Sequence, residues 1–281
     1  MIRQDTMDSL RGKTISITGG TGSWGQELVL QLLAWHHPKS VRVYSRGEHR
    51  QVEMRRAFPD PRLVFIIGDV RDKYRIAMAS RGVDIIFHLA AMKHVPVCEE
   101  NPWEAVQTNI IGTQNVIEAA ISHSVKKVVY VSSDKAVDPF NLYGATKSCG
   151  EQLILDANRH HTTRFVCVRA GNVMGTNGSV IPLFRQQALA GRDLTLTDER
   201  MTRFFMRKKD AIGLLLKAVQ DAKGGEILVM KMPACHIADV AHIFRERLGK
   251  SAQKIRVIGM RPGEKLNEVL VSRYEVPSAY D

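Results

Sequence analysis

The chain has 281 residues, 44% of them hydrophobic, enough for one large core or a core with a small appendage. No apolar run reaches the roughly 18 residues of a membrane span, and the polar start "MIRQDTMDSLRGK" has no signal-peptide core. The net charge is +11, but the basic residues are dispersed and aromatics are only 6%; this fits ligands bearing several phosphates and not nucleic acid. Cys98, Cys149, Cys167 and Cys235 are scattered without a CxxC pair. They read as reduced thiols of a cytoplasmic protein, with neither a zinc site nor a disulfide framework.

"KTISITG", from Lys13, reads as a short strand ending in glycine. "TGGTGSWG", Thr18 to Gly25, follows at once and opens the helical pattern "GQELVLQLLAW". Gly19, Gly22 and Gly25 recur every third residue, with Thr21, Ser23 and Trp24 between them. Glycines at a strand-to-helix turn let backbone approach a pyrophosphate, and the helix N-terminus adds N–H donors. The context of a first βα unit makes this a dinucleotide-binding candidate. The next strand, "SVRVYS", continues into "RGEHR". An NAD site commonly ends this strand with an acid. Here Ser45, Arg46 and Arg50 stand instead, and an arginine fork suits a 2′-phosphate. NADP is therefore expected over NAD, with Glu48 the one group that could still serve a ribose hydroxyl.

"RLVFIIGD" is a third strand, with Asp69 and Val70 placed at its end to meet an adenine. "VDIIFHLAA" is a fourth, with small Ala90 and Ala91 where backbone could pass near the cofactor. Lys93 could contact cofactor or substrate, and His94 reads equally as a packed histidine. "WEAVQTNIIGTQNVIEAAISH", from Trp103, predicts one long amphipathic helix. "VKKVVYVSS" is strand, with Tyr130 in the core. Tyr143 to about His160 is helix, and "TRFVCVRAG" is strand again. This alternation predicts a Rossmann-like, doubly wound parallel α/β sheet over residues 1–170. From 171 to 281 the pattern is irregular, with helices at "IPLFRQQALAG", "DAIGLLLKAV" and "ADVAHIFRERLG". That stretch is read as a smaller, discontinuous substrate-binding part.

"SSDKAVDPFNLYGATK", Ser132 to Lys147, carries the chemistry. Tyr143 and Lys147 are four apart on a helix and share one face. A phenol has a pKa near ~10, and an ammonium beside it lowers that value. Such a tyrosine can take a proton from a sugar hydroxyl while hydride moves to nicotinamide. Lys147 could also hold the nicotinamide ribose.

The glycine pattern, Asn109, Ser133, Tyr143 and Lys147 together resemble the extended short-chain dehydrogenase/reductases. The segments "TGGTGSWG", "VYSRGE", "AAMKHVP", "SSDKAVDPFNLYGATK", "RAGNVMG", "MTRF" and "RPGEKLNEVL" are similar to one group among them. That group is the UDP-N-acetylglucosamine 4,6-dehydratases of surface-polysaccharide and flagellar-sugar biosynthesis. The Asp134-Lys135 pair is what sets this group apart from ordinary sugar epimerases. The resemblance implies that Tyr143 takes the C4 hydroxyl proton and Ser133 bonds the C4 oxygen. It implies that Lys135 removes the C5 proton and Asp134 protonates the C6 hydroxyl as it leaves. Burial would favour a neutral lysine and a protonated aspartate, titrating as a coupled pair. The resemblance further implies Asn109 beside the cofactor and Asn172 against the sugar nucleotide. Arg261 would bind the diphosphate and Glu264 the ribose, with Arg203 a second basic contact. A homo-oligomer is expected, acting on UDP-N-acetylglucosamine or a related UDP-sugar, with C5 inverted. The competing readings are a UDP-sugar 4-epimerase and a dinucleotide-sensing protein without catalysis.

Overall fold

Short apolar runs alternating with amphipathic ones dictate the architecture of the computed structural model, which describes residues 9–176, 178–250 and 252–281. In chain order these are β1 (Thr14–Thr18), α1 (Ser23–Gln31), β2 (Ser40–Ser45), α2 (Glu48–Ala57), β3 (Leu63–Ile67), α3 (Lys73–Ser80) and β4 (Ile85–His88). Then come α4 (Val95–Glu100), α5 (Pro102–Val106), α6 (Gly112–Ser122), β5 (Lys127–Val131), α7 (Leu142–His160) and β6 (Arg164–Arg169). The remainder is β7 (Asn172–Val173), α8 (Val180–Leu189), β8 (Leu194–Leu196), β9 (Thr202–Met206), α9 (Lys208–Asp221), β10 (Ile227–Val229), β11 (Ala234–His236), α10 (Ile237–Leu248) and β12 (Ile255–Val257).

Seven strands form one parallel sheet in the order β3-β2-β1-β4-β5-β6-β10. Strands covered on both faces need apolar side chains on both, and every residue of β1 and β4 is buried. On one face, Leu28, Val29 and Leu32 meet Ile212 and Leu215 of α9 over Ile15 and Ile17. On the other, Ile76, Val116, Ile117 and Ile154 pack over Tyr44, Ile86, Val128 and Phe165. The sequence from 102 to 122 runs as expected through one helical stretch, but a π turn at Gln107–Ile111 interrupts it and buries Thr108 and Asn109.

Beyond residue 171 the chain divides. The strand β10 joins the edge of the main sheet, and α9 covers it. The sheet β11-β9-β7 and the pair β12-β8, with α8 and α10, enclose a separate core of Phe184, Leu194, Leu196, Met201, Phe205 and Ile237. Among the described residues no helix is long and apolar enough to cross a membrane.

Candidate active site

Strand order reverses between β1 and β4, and ligands of such sheets bind at that switch, beyond the carboxyl ends of the strands. Gly19 lies there with φ +68°, and a Cβ on it would stand 2.9 Å from Ala90 Cα. Only glycine meets both demands. Gly22 caps α1, whose first turn, begun by Ser23, carries no acid, so its positive end stays available to an anion. Gly25 is buried against Gly20, Thr21 is buried, and Trp24 packs on the core. The loop therefore fits a dinucleotide pyrophosphate.

At the end of β2, Ser45 is buried and its hydroxyl accepts from Gln51 Nε2 at 3.0 Å. Arg46 is exposed and stands 3.8 Å from Asp69, which Arg71 holds more closely at 2.7 Å. Glu48 and Arg50 are exposed on the first turns of α2. Val70 is buried against Gly112, and its carbonyl accepts from Asn115, which secures the strand end beside Asp69.

After β4, Ala90 and Ala91 are half-buried and Lys93 is exposed. Asn109 is buried and brackets this loop. Its amide oxygen accepts from Met92 N at 2.8 Å, and its Nδ2 donates to Met92 O at 2.9 Å and to Thr146 Oγ1 at 3.0 Å. It thus ties the cofactor loop to α7.

The candidate catalytic residues follow β5. Ser133 caps the short turn Asp134–Ala136, and its hydroxyl donates to Asp134 Oδ1 at 2.8 Å. Lys135 Nζ lies 3.1 Å from Asp134 Oδ1 and 3.2 Å from Glu268 Oε1. The α7 helix starts from Asn141, whose side chain accepts from Gly144 N at 2.7 Å. A Cβ on Gly144 would stand 2.1 Å from Lys135 O. Glycine at 144 is therefore what lets the Asp134-Lys135 turn sit directly on the helix that carries Tyr143 and Lys147.

Both of those side chains are buried. Burial pushes the Tyr143 phenol above its ordinary value; a hydrogen bond with Ser133 opposes this, and the charges of Asp134 and Glu268 add to it. The expected depression by Lys147 is not what the geometry delivers. Lys147 Nζ sits 3.9 Å from the centroid of the Tyr130 ring, and burial lowers its pKa to about 7. Tyr130 itself is a core residue, as its sequence context implies.

At the substrate end, Asn172 opens β7 at the carboxyl side of the sheet. Arg261 and Glu264 pair with each other, Nη2 to Oε1 at 2.6 Å. Arg203 is a correction. It is buried, and its guanidinium donates to the carbonyls of Thr202, Leu266 and Lys265 at 2.7–2.9 Å. Three of its five N–H donors are thus used on backbone, which ties it to the segment just after the Arg261–Glu264 pair. That loop is fastened to the catalytic turn as well, through Asn141 Nδ2 to Gly263 O at 2.7 Å and Lys265 Nζ to Asp138 O. Sequence reasoning missed Glu268. Its only signal was an acid within the apolar "LNEVL", where an exposed residue is the ordinary assumption.

Residues 15–281 match the family described as "Polysaccharide biosynthesis protein". The chain is 43% identical to the UDP-N-acetylglucosamine 4,6-dehydratase (inverting) of Campylobacter jejuni, across 96% of this chain and 80% of that one. It is 45% identical to a UDP-glucose 4-epimerase of Rickettsia akari, with the same coverage. Among solved structures, Pen from Bacillus thuringiensis aligns at 44% identity with a TM-score of 0.94, over 97% of this chain and 87% of that one. The dTDP-glucose 4,6-dehydratase of Streptomyces venezuelae, solved with NAD bound, aligns at 26% identity and a TM-score of 0.86, over 94% and 90%.

Proposed function

The chain belongs to the polysaccharide biosynthesis protein family, and from that premise we propose that it is a UDP-N-acetylglucosamine 4,6-dehydratase that inverts C5. The observation that carries the reading is the pair of buried Asp134 and half-buried Lys135, joined through Ser133 to Tyr143. An epimerase at C4 needs a tyrosine and a hydride acceptor. It has no use for an acid and a base placed beyond them. Asp134 Oδ2 is buried and has no hydrogen-bond partner among the described residues, which suits an oxygen that meets a substrate hydroxyl.

The residues divide the work as follows. A bound nicotinamide dinucleotide supplies the hydride acceptor at C4 and returns that hydride at C6. Gly19, Gly22 and the α1 N-terminus hold its pyrophosphate, and Lys147 its ribose. Tyr143 takes the C4 hydroxyl proton after passing its own toward Ser133, a step that burial of the phenol opposes. The resulting ketone makes the C5 hydrogen acidic, and neutral Lys135 removes it. The electron pair enters the C4–C5 enolate and then forms the C5–C6 double bond as the C6–O bond breaks. Asp134 gives its proton to the departing hydroxide, which leaves as water. Inversion requires C5 to be protonated from the face opposite Lys135, so that proton comes from another donor and Lys135 releases the one it removed. Over one turnover the C4 hydroxyl gives up a proton through Tyr143 and Asp134 loses one. Ser133 bonds both side chains and so bridges the groups that must be reset.

NADP is the cofactor of this reading, because β2 ends in Ser45 and an exposed Arg46 without a carboxylate. In this reading Arg261 binds the diphosphate and Glu264 the ribose, with Lys93 and Asn172 as further contacts to the sugar nucleotide. A homo-oligomer is part of this reading, and the groove between α6 and α7 would offer it a mixed surface, with Ile117, Ile121 and Leu153 beside Glu118, Asp156 and His161. Mass spectrometry of UDP-N-acetylglucosamine incubated with protein and NADP is the deciding experiment. Loss of one water is expected. An isomer of unchanged mass would establish the epimerase, the reading favoured by the Rickettsia relative.

A further inference from the structure

Glu268 takes no part in the chemistry just described, yet its carboxylate reaches the reacting lysine. It comes from the C-terminal segment, and its side chain is 2% exposed. Its Oε1 stands 3.2 Å from Lys135 Nζ, and its Oε2 is buried without a hydrogen-bond partner among the described residues. A buried carboxylate is costly unless paired, and Lys135 is the cation it meets. Asp134 approaches the same ammonium from the other side at 3.1 Å. One cation thus stands between two buried anions.

Elimination makes two opposite demands on those carboxyl groups. One must carry a proton to give to the leaving hydroxyl. Another must stay ionised to stabilise the ammonium formed when Lys135 takes the C5 proton. A single carboxyl group cannot do both. We propose that Glu268 is the positioning residue of Lys135: it remains ionised, aims Nζ at the C5 hydrogen and is the counter-ion of the ammonium, which frees Asp134 to be the acid. This assignment rests on the dehydratase reading. The protons balance: the Lys135 ammonium first gives one to Asp134 across their contact, leaving lysine and aspartic acid both neutral beside the Glu268 anion. Breaking C5–H returns Lys135 to ammonium, its charge matched by Glu268 while the electron pair resides on the enolate. Breaking C6–O then takes the Asp134 proton into water.

The test uses the NADP-loaded enzyme and four variants: Glu268→Gln, Glu268→Asp, Lys135→Ala and the Lys135→Ala/Glu268→Gln double. Glu268→Gln is expected to lower kcat on the order of 10²-fold with KM unchanged, the low end of what acid–base groups contribute. Deuterium uptake at C5 from heavy water falls in parallel, while reduction of the nicotinamide by substrate persists. The acidic limb of the kcat–pH profile moves to lower pH, because the ammonium has lost an anionic partner while Asp134 and Tyr143 still face it. Glu268→Asp keeps the charge at a longer reach and recovers part of the rate at an unchanged melting temperature. The double variant matches Lys135→Ala alone, since Glu268 acts only through that lysine. Wild-type turnover and C5 exchange in Glu268→Gln, or losses that multiply in the double variant, overturn the assignment. If the wild-type protein itself expels no water from the sugar nucleotide, the dehydratase reading falls; the Glu268 assignment alone falls when water is lost and the variants behave as wild type.

Discussion

The turn and helix start at 132–147, which carry the candidate catalytic residues, and the loop at 261–268 bond directly to each other, but they are built on different terms. The first is held mainly by neighbours in sequence: Ser133 caps its own turn, and Asn141 caps its own helix. The second adds to its local Arg261–Glu264 pair bonds to distant segments, from Arg203 to Leu266 O, from Asn141 to Gly263 O and from Lys265 to Asp138 O. Local capping gives a scaffold fixed by its own sequence. Long-range tethers give a wall whose position depends on the rest of the fold. The reacting lysine stands where the two meet, between Asp134 of the first and Glu268 of the second.

The sharpest way to break this comparison is to remove the shared cation. Lys135→Ala is expected to lower the rate of water loss on the order of 10⁴-fold, the upper end for an acid–base group. Cofactor affinity and transient C4 oxidation remain, because Tyr143 and Lys147 belong to the locally built side. Rapid-mixing absorbance of the nicotinamide, set beside product mass, checks both halves; unchanged water loss removes Lys135 as the base.

A tether anchored in the sheet comes next. Arg169 is buried and pairs with Glu151 of α7 and Glu275 near the C-terminus, each at 2.7 Å. Arg169→Met leaves Glu151 buried without its partner and is expected to cost about 3–5 kcal/mol of stability. Denaturant melts measure it. The Arg169 hydrogen bond holds Glu275 at a pKa of about 2, below its unfolded value of 4.5. A depressed carboxyl stabilises the fold above its unfolded pKa and loses that contribution as pH falls toward about 2. The wild type should therefore weaken through this window more steeply than Arg169→Met; parallel pH profiles would remove the clasp from the account.

Legibility in the sequence followed the same division. The parallel sheet was readable because each strand is a short apolar run, and the glycine loop because Gly19 must adopt positive φ beside Ala90. Ser133, Asp134, Lys135, Tyr143 and Lys147 lie within fifteen residues, so spacing alone put them on one turn and one helix. Glu268 and the true task of Arg203 depend on chain segments more than 60 residues away. No periodicity encodes those meetings. Lys147 shows a subtler limit. Spacing placed it one turn from Tyr143, but only the packed sheet shows that its ammonium rests on the Tyr130 ring.

The locally built side can be perturbed without touching a reacting group. Gly144→Ala puts a methyl 2.1 Å from Lys135 O, so backbone must shift. An overpacked contact of this kind costs about 1–3 kcal/mol. The displaced turn carries Lys135 with it, so kcat should fall while NADP affinity holds. Thermal melts and steady-state kinetics read the two effects, and a variant with wild-type kcat would show that the turn tolerates movement.

The smallest expected effect concerns cofactor choice, at the rim and far from the cleft. Arg46 is exposed and its nearest carboxylate, Asp69, is already engaged by Arg71, so its guanidinium is free to turn toward a 2′-phosphate. A hydrogen bond to a charged group contributes about 1.5–3 kcal/mol, so Arg46→Ala should weaken NADP roughly 10- to 100-fold and leave NAD nearly unchanged. Raising salt should mimic the variant in part, since an exposed pair is screened. Titration calorimetry with each dinucleotide separates the cases. Equal losses for NADP and NAD would mean that Arg46 supports the loop as a whole, and the second strand would then carry no preference for the phosphate.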